Sequence, residues 1–394
     1  MLLALGGYTG PLIGLTVLRD CERLNAAEVG PYAQQSPRPR HRNACTTEKK
    51  QKWWGMPMLS TPRSAFAAAL CHGVVYALGG QANDGSNKKQ GGANYKRYVE
   101  LATVERLEVS PRLDNRWQPN VVPDMSSARV GHAAAAVNGR LFAIGGFDGF
   151  FLSSAVESIA LPPPAPPPPP RPSENLDEGE EWEEGEEGRG EGEDWEDGQE
   201  AVWEGGKWEE EAAMHEPRNG FGACVVNGQI WVAGGNKGFH CLDTTEVYDP
   251  HSCKWISGPR MEEARHWHAV ASVPANNRIY ALGGWALTTV KEWDGRRGVY
   301  QEVQREHTRL LSHVESLDPR EGKWRVETPM NQGRVFHAAA AAGNFLYALG
   351  GCDYSGEALQ SVEVFDVRLG RWLAAPNLEI NRTYLSALVV PMTS

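Results

Sequence analysis

Short runs of apolar residues, each ending in a pair of glycines, recur along the whole chain. Three of these runs read YALGG, and the others are variants with apolar side chains at the same positions. Runs of about five apolar residues that end in glycine favour β-strands buried on both faces. The pattern predicts one repeated strand in each of six units. The six runs occupy 2–7, 76–80, 142–146, 231–235, 280–284 and 347–351.

An arginine stands at a regular distance before most of these runs. Arg63, Arg129, Arg218 and Arg334 lie 16 residues before the first glycine of a pair, and Arg265 lies 18 residues before it. Each arginine opens a run of small and apolar residues, such as RVGHAAAAV, and a short turn follows. Two apolar runs joined by an Asn-Gly-like turn predict a β-hairpin, which supplies the first and second strands of each unit.

Two further strands complete each unit. A third strand follows a variable loop and carries a glutamate, and a tryptophan then marks a fourth strand. In the last three units the next arginine lies ten residues beyond this tryptophan, and the same spacing favours Trp208 over Trp203. The glutamates are Glu22, Glu105, Glu157, Glu246, Glu315 and Glu363. The tryptophans predicted for the fourth strands are Trp54, Trp117, Trp208, Trp255, Trp324 and Trp372.

Units of four short strands that repeat every 47 to 89 residues are typical of the blades of a β-propeller. The glycine pair, the residue after the third-strand glutamate and the spaced tryptophan resemble the kelch repeat, whose period is close to the shortest units. The segment 334–372 most closely resembles the propellers of BTB-kelch (kelch-like) substrate adaptors. The resemblance implies an all-β kelch propeller with insertions in some blades.

The two ends of the chain are predicted to share one blade. Arg382 opens the run at 385–390, which reads as a first strand without a second, whereas 2–7 reads as a second strand without a first. Pairing 385–390 with 2–7 completes a blade and removes two exposed sheet edges. The sequence therefore predicts a single six-bladed propeller over 1–394.

The repeated residues have physical roles in such a ring. Glycine at the end of the second strand adopts backbone conformations closed to other residues and lets blades approach closely. We expect the tryptophans to fill the space between blades, and the arginines and glutamates to form hydrogen-bonded or charge-paired contacts that orient neighbouring blades. The glycines are Gly6, Gly7, Gly79, Gly80, Gly145, Gly146, Gly234, Gly235, Gly283, Gly284, Gly350 and Gly351. The arginines are Arg63, Arg129, Arg218, Arg265, Arg334 and Arg382.

Four insertions divide between the two faces of the predicted ring. The basic, Gly-rich loop at 81–99 and the loop at 285–310 follow glycine pairs, so they lie on one face. The insertions at 26–52 and 162–207 join third strands to fourth strands, so they lie on the other face. The basic loop at 26–52 includes RPRHR and KKQK. Such short basic runs are weak evidence for a nuclear-localisation or polyanion-binding patch, so a solvated loop is favoured.

The insertion at 162–207 changes the interpretation of the net charge. It begins with a proline-rich run that favours polyproline II and continues into an acidic low-complexity tract that we predict to be disordered. The tract 174–211 contains 19 Asp/Glu and 2 Lys/Arg, so the remainder of a chain with net charge −11 is mildly basic, about +6. A linker-like excursion is favoured over a ligand for proline-binding modules or an acidic decoy.

The sequence contains no recognisable catalytic constellation, so no catalytic residue, cofactor or metal site is predicted. His132, His268 and His337 lie three residues after their arginines, where a metal site on the ring axis is conceivable. Apolar residues replace them in the other units, which favours packing. Seven scattered cysteines without a CxxC pair favour a reducing compartment, and we expect a cytoplasmic location with the nucleus as the alternative.

The predicted function is recognition of a protein or peptide at one face of the ring. In the adaptors that this chain resembles, partners dock on the face with the loops between second and third strands. The residues after each glycine pair and after each arginine are expected there, and Tyr8, Phe147 and Trp285 are expected to be aromatic anchors. The predicted partner-binding residues are Tyr8, Ser64, Gln81, Val130, Phe147, Asn219, Asn236, His266, Trp285, Val335, Cys352 and Thr383.

The leading hypothesis is the substrate-recognition propeller of a ubiquitin-ligase-type adaptor. No BTB, BACK or F-box segment is recognisable, so we expect the propeller of a longer product or a truncated gene model. The alternatives are a kelch-propeller enzyme of the oxidase, isomerase or specifier type, and a cytoskeletal protein that binds actin. No nucleic-acid partner and no membrane partner is expected.

Overall fold

The computed structural model describes residues 1–9, 16–18, 20–24, 53–90, 93–109, 116–162, 206–238, 240–294 and 299–391. Within these ranges every regular element is a β-strand. The described ranges accordingly hold no apolar helix of the length that crossing a membrane requires.

The strands are short, and most contain four or five residues. In chain order they are β1 (Leu2–Leu5), β2 (Tyr8–Thr9), β3 (Thr16–Val17), β4 (Cys21–Leu24), β5 (Trp54–Met56), β6 (Ala67–Cys71), β7 (Val74–Leu78), β8 (Gln81–Gln90), β9 (Ala93–Glu100), β10 (Val104–Glu108), β11 (Gln118–Pro119), β12 (Ala133–Val137), β13 (Arg140–Ile144), β14 (Val156–Ala160), β15 (Glu209–Glu211) and β16 (Gly222–Val226). They continue as β17 (Gln229–Ala233), β18 (Asn236–Lys237), β19 (His240–Cys241), β20 (Thr245–Asp249), β21 (Lys254–Ser257), β22 (Ala269–Val273), β23 (Arg278–Leu282), β24 (Trp285–Asp294), β25 (Val299–Leu310), β26 (Val314–Asp318), β27 (Lys323–Glu327), β28 (Ala338–Ala342), β29 (Phe345–Leu349), β30 (Val362–Asp366), β31 (Arg371–Ala375) and β32 (Ser386–Val389).

Twenty-four of these strands form six antiparallel four-stranded sheets, the blades of a propeller. Blade 1 has the order β32-β1-β4-β5, and blades 2 to 6 are β6-β7-β10-β11, β12-β13-β14-β15, β16-β17-β20-β21, β22-β23-β26-β27 and β28-β29-β30-β31. The first strands of neighbouring blades contact one another around a complete circle. The predicted six-bladed, all-β propeller is therefore confirmed.

Blade 1 closes the ring in the predicted way. Strand β1 pairs with β32 in an antiparallel register that sets Leu2 opposite Val389 and Leu5 opposite Ser386. The other side of β1 pairs with β4, so the N-terminal strand lies inside a sheet. The terminal amino group of Met1 donates to the carbonyl of Val390 at 2.6 Å, which extends this pairing by one residue.

The apolar core lies between blades rather than within any one of them. Second strands such as β7 and β29 bury their last four residues, as expected for strands covered on both faces. Six apolar clusters occupy the six junctions between neighbouring blades in the described ranges. At the junction of blades 6 and 1, for example, Leu2 and Trp53 pack with Tyr347.

The glycine pairs end the second strands in a conformation that other residues rarely adopt. Gly79 has a φ of 56° and Gly80 a φ of 88°. A Cβ atom on Gly79 would lie 2.7 Å from the carbonyl oxygen of Arg129 in the next blade, and one on Gly80 would lie 2.6 Å from the carbonyl oxygen of Ser64. Both positions therefore require glycine for its backbone conformation and for the close approach of the next segment.

A buried ion pair occurs at the same place in every blade. In blade 2, the Arg63 guanidinium donates to Glu105 Oε1 at 2.6 Å and to the carbonyl oxygens of Gly79 and Thr103. Glu105 in turn accepts hydrogen bonds from the backbone N–H groups of Ser60 and Thr61, which belong to the linker from blade 1. The predicted arginine–glutamate contacts are thus present, and they fasten each linker to the blade that follows it.

The six glutamates are all buried in this arrangement. The closest nitrogen–oxygen distances are 2.6 Å for Arg63–Glu105, 3.0 Å for Arg129–Glu157, 2.7 Å for Arg218–Glu246, 2.6 Å for Arg265–Glu315, 2.7 Å for Arg334–Glu363 and 2.5 Å for Arg382–Glu22.

One tryptophan assignment from the sequence is wrong. Trp54 is 61% exposed, whereas its neighbour Trp53 is 1% exposed and donates from Nε1 to the carbonyl of Pro376. The other five predicted tryptophans make the equivalent bond to the linker that enters their own blade. The spacing rule contained the correct answer, because Trp53 is ten residues before Arg63.

The structure describes two of the four insertions. The segments predicted as loops at 81–99 and 285–310 contain the β8–β9 and β24–β25 hairpins. Most of 26–52 and 162–207, including the basic loop and the proline-rich and acidic tract, lies outside the described residues. The domain organisation predicted for those segments stays a prediction.

We predict that Glu315→Gln lowers the free energy of unfolding by about 3–5 kcal/mol, because the Arg265 guanidinium then stays buried without its countercharge. Asp243→Asn is the matched control, since Asp243 pairs at 2.6 Å with an Arg260 that is exposed. Its loss should be about 1 kcal/mol or less. Chemical denaturation measures both values, and equal losses would contradict a structural role for the buried pair.

Candidate interaction face

The glycine pairs and the buried arginines lie at the same end of every blade, because the pairs end second strands and the arginines precede first strands. We call this end of the ring the Gly-Gly face. The twelve predicted partner-binding residues meet there in six antiparallel bridges, one in each blade. The pairs are Tyr8–Thr383, Ser64–Gln81, Val130–Phe147, Asn219–Asn236, His266–Trp285 and Val335–Cys352.

The bridges form a collar whose members differ in exposure. Half of the twelve side chains are buried, and half are partly exposed. The buried residues are Tyr8, Ser64, Val130, Val335, Cys352 and Thr383. The partly exposed residues are Gln81, Phe147, Asn219, Asn236, His266 and Trp285. The collar as a partner-binding surface stays a prediction, and its buried half has a structural role.

Tyr8 lies on the Gly-Gly face, but its side chain is not accessible to a partner. Its side chain is 3% exposed, and its hydroxyl accepts a hydrogen bond from Gln81 Nε2 at 2.8 Å. The rings of Tyr98 and Tyr384 contact it edge-on. Burial raises the pKa of Tyr8 to about 12. Tyr8 therefore holds the collar together, while Phe147 and Trp285 keep some access to solvent.

Inside the collar, one residue from each blade joins a closed ring of backbone hydrogen bonds. Each of these residues lies two positions after a buried arginine, and each has a positive φ. Each N–H donates to the carbonyl of the equivalent residue in the preceding blade, at 2.6 to 3.1 Å. The six residues are Ala65, Gly131, Gly220, Trp267, Phe336 and Tyr384.

Three of these six residues are aromatic and cover the centre of the face. The Phe336 and Tyr384 rings stack with centroids 3.8 Å apart, and the Trp267 ring lies 5.3 Å from each of them. A Cβ atom on Gly220 would lie 2.7 Å from the Trp267 ring, so the indole extends over the half of the ring that has small residues. Trp267, Phe336 and Tyr384, all partly exposed, form what we call the aromatic floor.

The sequence reasoning missed the aromatic floor by one position. It selected the residues directly after each arginine, whereas the floor residues are the next ones along the chain. A usable signal was present, because small residues occupy this position in three consecutive units and Trp, Phe and Tyr occupy it in the other three.

Two loops on the Gly-Gly face hold aromatic side chains out in solvent. Phe150 is 83% exposed and Phe151 is 74% exposed. The carboxylate of Asp148 accepts hydrogen bonds from both of their backbone N–H groups, at 2.8 and 2.7 Å, which fixes the loop. These bonds hold the pKa of Asp148 below its ordinary value. In blade 6, Asp353 braces the corresponding loop, and Tyr354 is 79% exposed.

The repeats match the family model for the Kelch motif at residues 128–158, 217–262 and 333–379. These segments lie in blades 3, 4 and 6 of the described ring. The chain is a kelch-repeat β-propeller. It resembles kelch-like proteins, as the sequence predicted.

Curated relatives match parts of this kelch propeller. Kelch-like protein 23 of Homo sapiens is 28% identical over 163 residues, which cover 40% of this chain and 24% of that protein. Beta-scruin of Limulus polyphemus is 24% identical over 355 residues, which cover 87% of this chain and 31% of that protein. The aligned region thus spans about a quarter to a third of the length of these relatives.

A solved structure of YjhT has the same fold. It superposes with a TM-score of 0.59 at 13% sequence identity and covers 94% of this chain and 97% of that one. At this identity the similarity concerns the fold alone.

Behind the aromatic floor, a central channel of about 460 Å³ runs between the six first strands. Its wall consists mainly of alanine, valine and leucine side chains from β6, β12, β16, β22, β28 and β32. In the described ranges, no group of three or more His, Cys, Asp or Glu side chains is arranged to hold a metal ion.

The three histidines at the start of first strands pack between blades. A Cβ atom on Gly79 would lie 2.9 Å from Cε1 of His132, so this ring covers the glycine of the preceding blade. Blade 2 uses Phe66 in the same way against Gly6. Burial and the nearby Arg129 guanidinium lower the pKa of His132 to about 3, which keeps the ring neutral. Packing, the favoured interpretation, is thus what the geometry shows.

This neutral histidine makes folding sensitive to acid. Because its pKa is about 3 in the folded chain and ordinarily 6.5, the unfolded chain binds the extra proton between these values, so stability falls as the pH falls below 6.5. At pH 5 the loss should be about 2 kcal/mol. We predict that His132→Phe removes this part of the loss between pH 7 and pH 5, as measured by denaturation. His251→Phe, at an exposed turn, is the control, and an unchanged pH dependence in His132→Phe would contradict the assignment.

The contact between Gly220 and Trp267 gives a second test. Gly220→Ala places a methyl group against the indole at a φ of 59°, whereas Gly228→Ala places one at a φ of 75° where no other atom lies within 4 Å. Both variants should lose about 1–2 kcal/mol from backbone strain. We predict a further loss of about 1–3 kcal/mol for Gly220→Ala alone, together with a change in tryptophan fluorescence. Equal unfolding midpoints for the two variants would show that the indole does not lie on Gly220.

Proposed function

We propose that this kelch propeller is a protein-interaction module that receives an extended segment of a partner protein on its Gly-Gly face. The observation that carries the proposal is the aromatic floor, which places three partly exposed aromatic rings at the centre of a rigid ring. Aromatic side chains in such central positions dominate the binding energy of many protein interfaces.

The rigidity of the face supports recognition. The floor residues are fixed by the closed ring of backbone hydrogen bonds, and the exposed phenylalanines by Asp148. A surface that is ordered before binding loses little conformational entropy when a partner docks, which leaves more of the contact energy for affinity. Large apolar side chains held in solvent on braced loops are typical of an interaction surface.

The finer role of a substrate-recognition propeller in a ubiquitin-ligase-type adaptor is part of this proposal. Its support is the similarity to kelch-like proteins and the repeat in blade 6, which matches the kelch motif over 333–379. A cytoplasmic location, with the nucleus as the alternative, is proposed with it.

Site-specific photocrosslinking tests the face assignment. A photoreactive phenylalanine analogue is placed at position 150, on the Gly-Gly face, or at position 369, where a leucine is exposed in the turn between β30 and β31 at the opposite end of the ring. In cells, we predict that position 150 crosslinks discrete partner proteins and that position 369 crosslinks none of the same partners. Adducts identified by mass spectrometry that form only at position 369 would contradict the proposal.

A further inference from the structure

The braced loops of blades 3 and 6 share one construction, and their blades lie opposite each other across the aromatic floor. Each loop starts with a bridged residue after the glycine pair, and the aspartate that follows accepts backbone hydrogen bonds within the loop. Each then exposes an aromatic side chain, Phe150 and Phe151 in one case and Tyr354 in the other. The face thus carries two fixed aromatic projections with the floor between them.

These two sectors of the face carry charge of one sign. No lysine or arginine occurs in the segments 117–128, 141–161, 344–361 and 373–381, which build these sectors. The arginines that follow or precede them on the face are the buried ones of the ion pairs. Exposed or partly exposed carboxylates occur in both sectors. They are Asp124 and Asp148 in blade 3, and Asp353, Glu357 and Glu379 in and beside blade 6.

A carboxylate from the neighbouring blade adds to the blade 3 sector. Glu100, at the base of the β8–β9 hairpin, reaches the loop that carries the phenylalanines, since a Cβ atom on Gly149 would lie 3.1 Å from Glu100 Oε2. This places Glu100 beside Asp148 and Phe150. An acidic and aromatic surface therefore crosses the junction of blades 2 and 3.

Several described basic side chains elsewhere on the face pair with acidic ones. In blades 4 and 5, Arg260 pairs with Asp243 at 2.6 Å and Arg309 pairs with Glu263 at 2.6 Å. Lys237 lies 3.6 Å from Glu216. The sectors of blades 3 and 6 thus combine exposed carboxylates with exposed aromatic rings.

We propose that the Gly-Gly face selects a basic peptide segment, one in which arginine or lysine flanks an apolar residue. The inference rests on the proposed function and names the chemistry of the partner. The apolar residue packs on the aromatic floor, and the flanking cations meet the carboxylates and the exposed aromatic rings of blades 3 and 6. Cations are attracted both by carboxylates and by the faces of aromatic rings.

Fluorescence anisotropy with the purified full chain tests this selectivity. The probes are labelled nonapeptide pools with a central Phe or Leu, flanked by Arg and Lys in one pool and by Asp and Glu in the other. A third pool of proline-rich peptides represents polyproline ligands. We expect binding of the basic pool alone, with an affinity that falls about tenfold between 50 and 300 mM salt because the contacts are screened.

Charge reversal on the face supplies the matched variants. Glu100→Lys and Glu357→Lys, each at a residue that does not brace a loop, should weaken the basic pool by about fivefold or more. Glu210→Lys is the control, because Glu210 is exposed on the outer strand β15 of blade 3, away from the floor. Its affinity should stay within about twofold of the unmodified chain.

Tighter binding of the acidic or proline-rich pool would overturn the inference, and so would equal losses in the three lysine variants. The photocrosslinking result separates this failure from that of the proposed function. If position 150 still captures a partner while the basic pool does not bind, recognition at this face stands and the basic chemistry is wrong. If neither experiment succeeds, both are wrong.

Discussion

Each blade of the ring is joined to the next by a linker across the Gly-Gly face, and a buried glutamate holds that linker by its backbone N–H groups. The glutamate keeps its charge inside the protein only because a buried arginine lies against it, 2.6 Å away in the case of Arg63 and Glu105. The same arginine donates to the carbonyl of the first glycine of the pair. One ion pair thus fixes the linker, the end of the second strand and the start of the first strand relative to one another.

The rest of the face follows from this constraint. Once the arginine is fixed, the next residue can pair only with the residue after the glycine pair, which produces the six bridges of the collar. The residue after that turns toward the axis with a positive φ and bonds to its counterpart in the preceding blade. The aromatic floor is therefore built on backbone geometry that repeats six times, and only its side chains differ between blades.

The fold could be predicted from the sequence because it depends on residues that recur at fixed spacing. The glycine pairs, arginines and glutamates indicated six blades and the closure of the ring by β1 and β32, because every blade requires the same residues at the same positions. The sequence selected Trp54 instead of Trp53 because nothing local distinguishes two adjacent tryptophans. Their side chains point to opposite sides of the strand, and that of Trp54 faces solvent.

The candidate site was harder to predict because it depends on contacts between blades. Nothing local distinguishes Tyr8, which is covered by Tyr98 and Tyr384, from Phe150, which is held in solvent by Asp148. The aromatic floor exists because Trp267 crosses the axis above Gly220, and the two residues lie in different repeats. Such contacts become visible only when the repeats are arranged in a circle.

The unequal floor also removes the rotational symmetry that the fold would otherwise have. Six similar blades offer a ligand six equivalent orientations, and a peptide with distinct ends could bind in any of them. Three consecutive blades contribute large aromatic side chains, and the other three contribute Ala65, Gly131 and Gly220. Large side chains therefore cover one half of the centre and small residues the other half. A chain laid across it meets a different surface in each rotation, which gives a near-symmetric ring the means to read sequence direction.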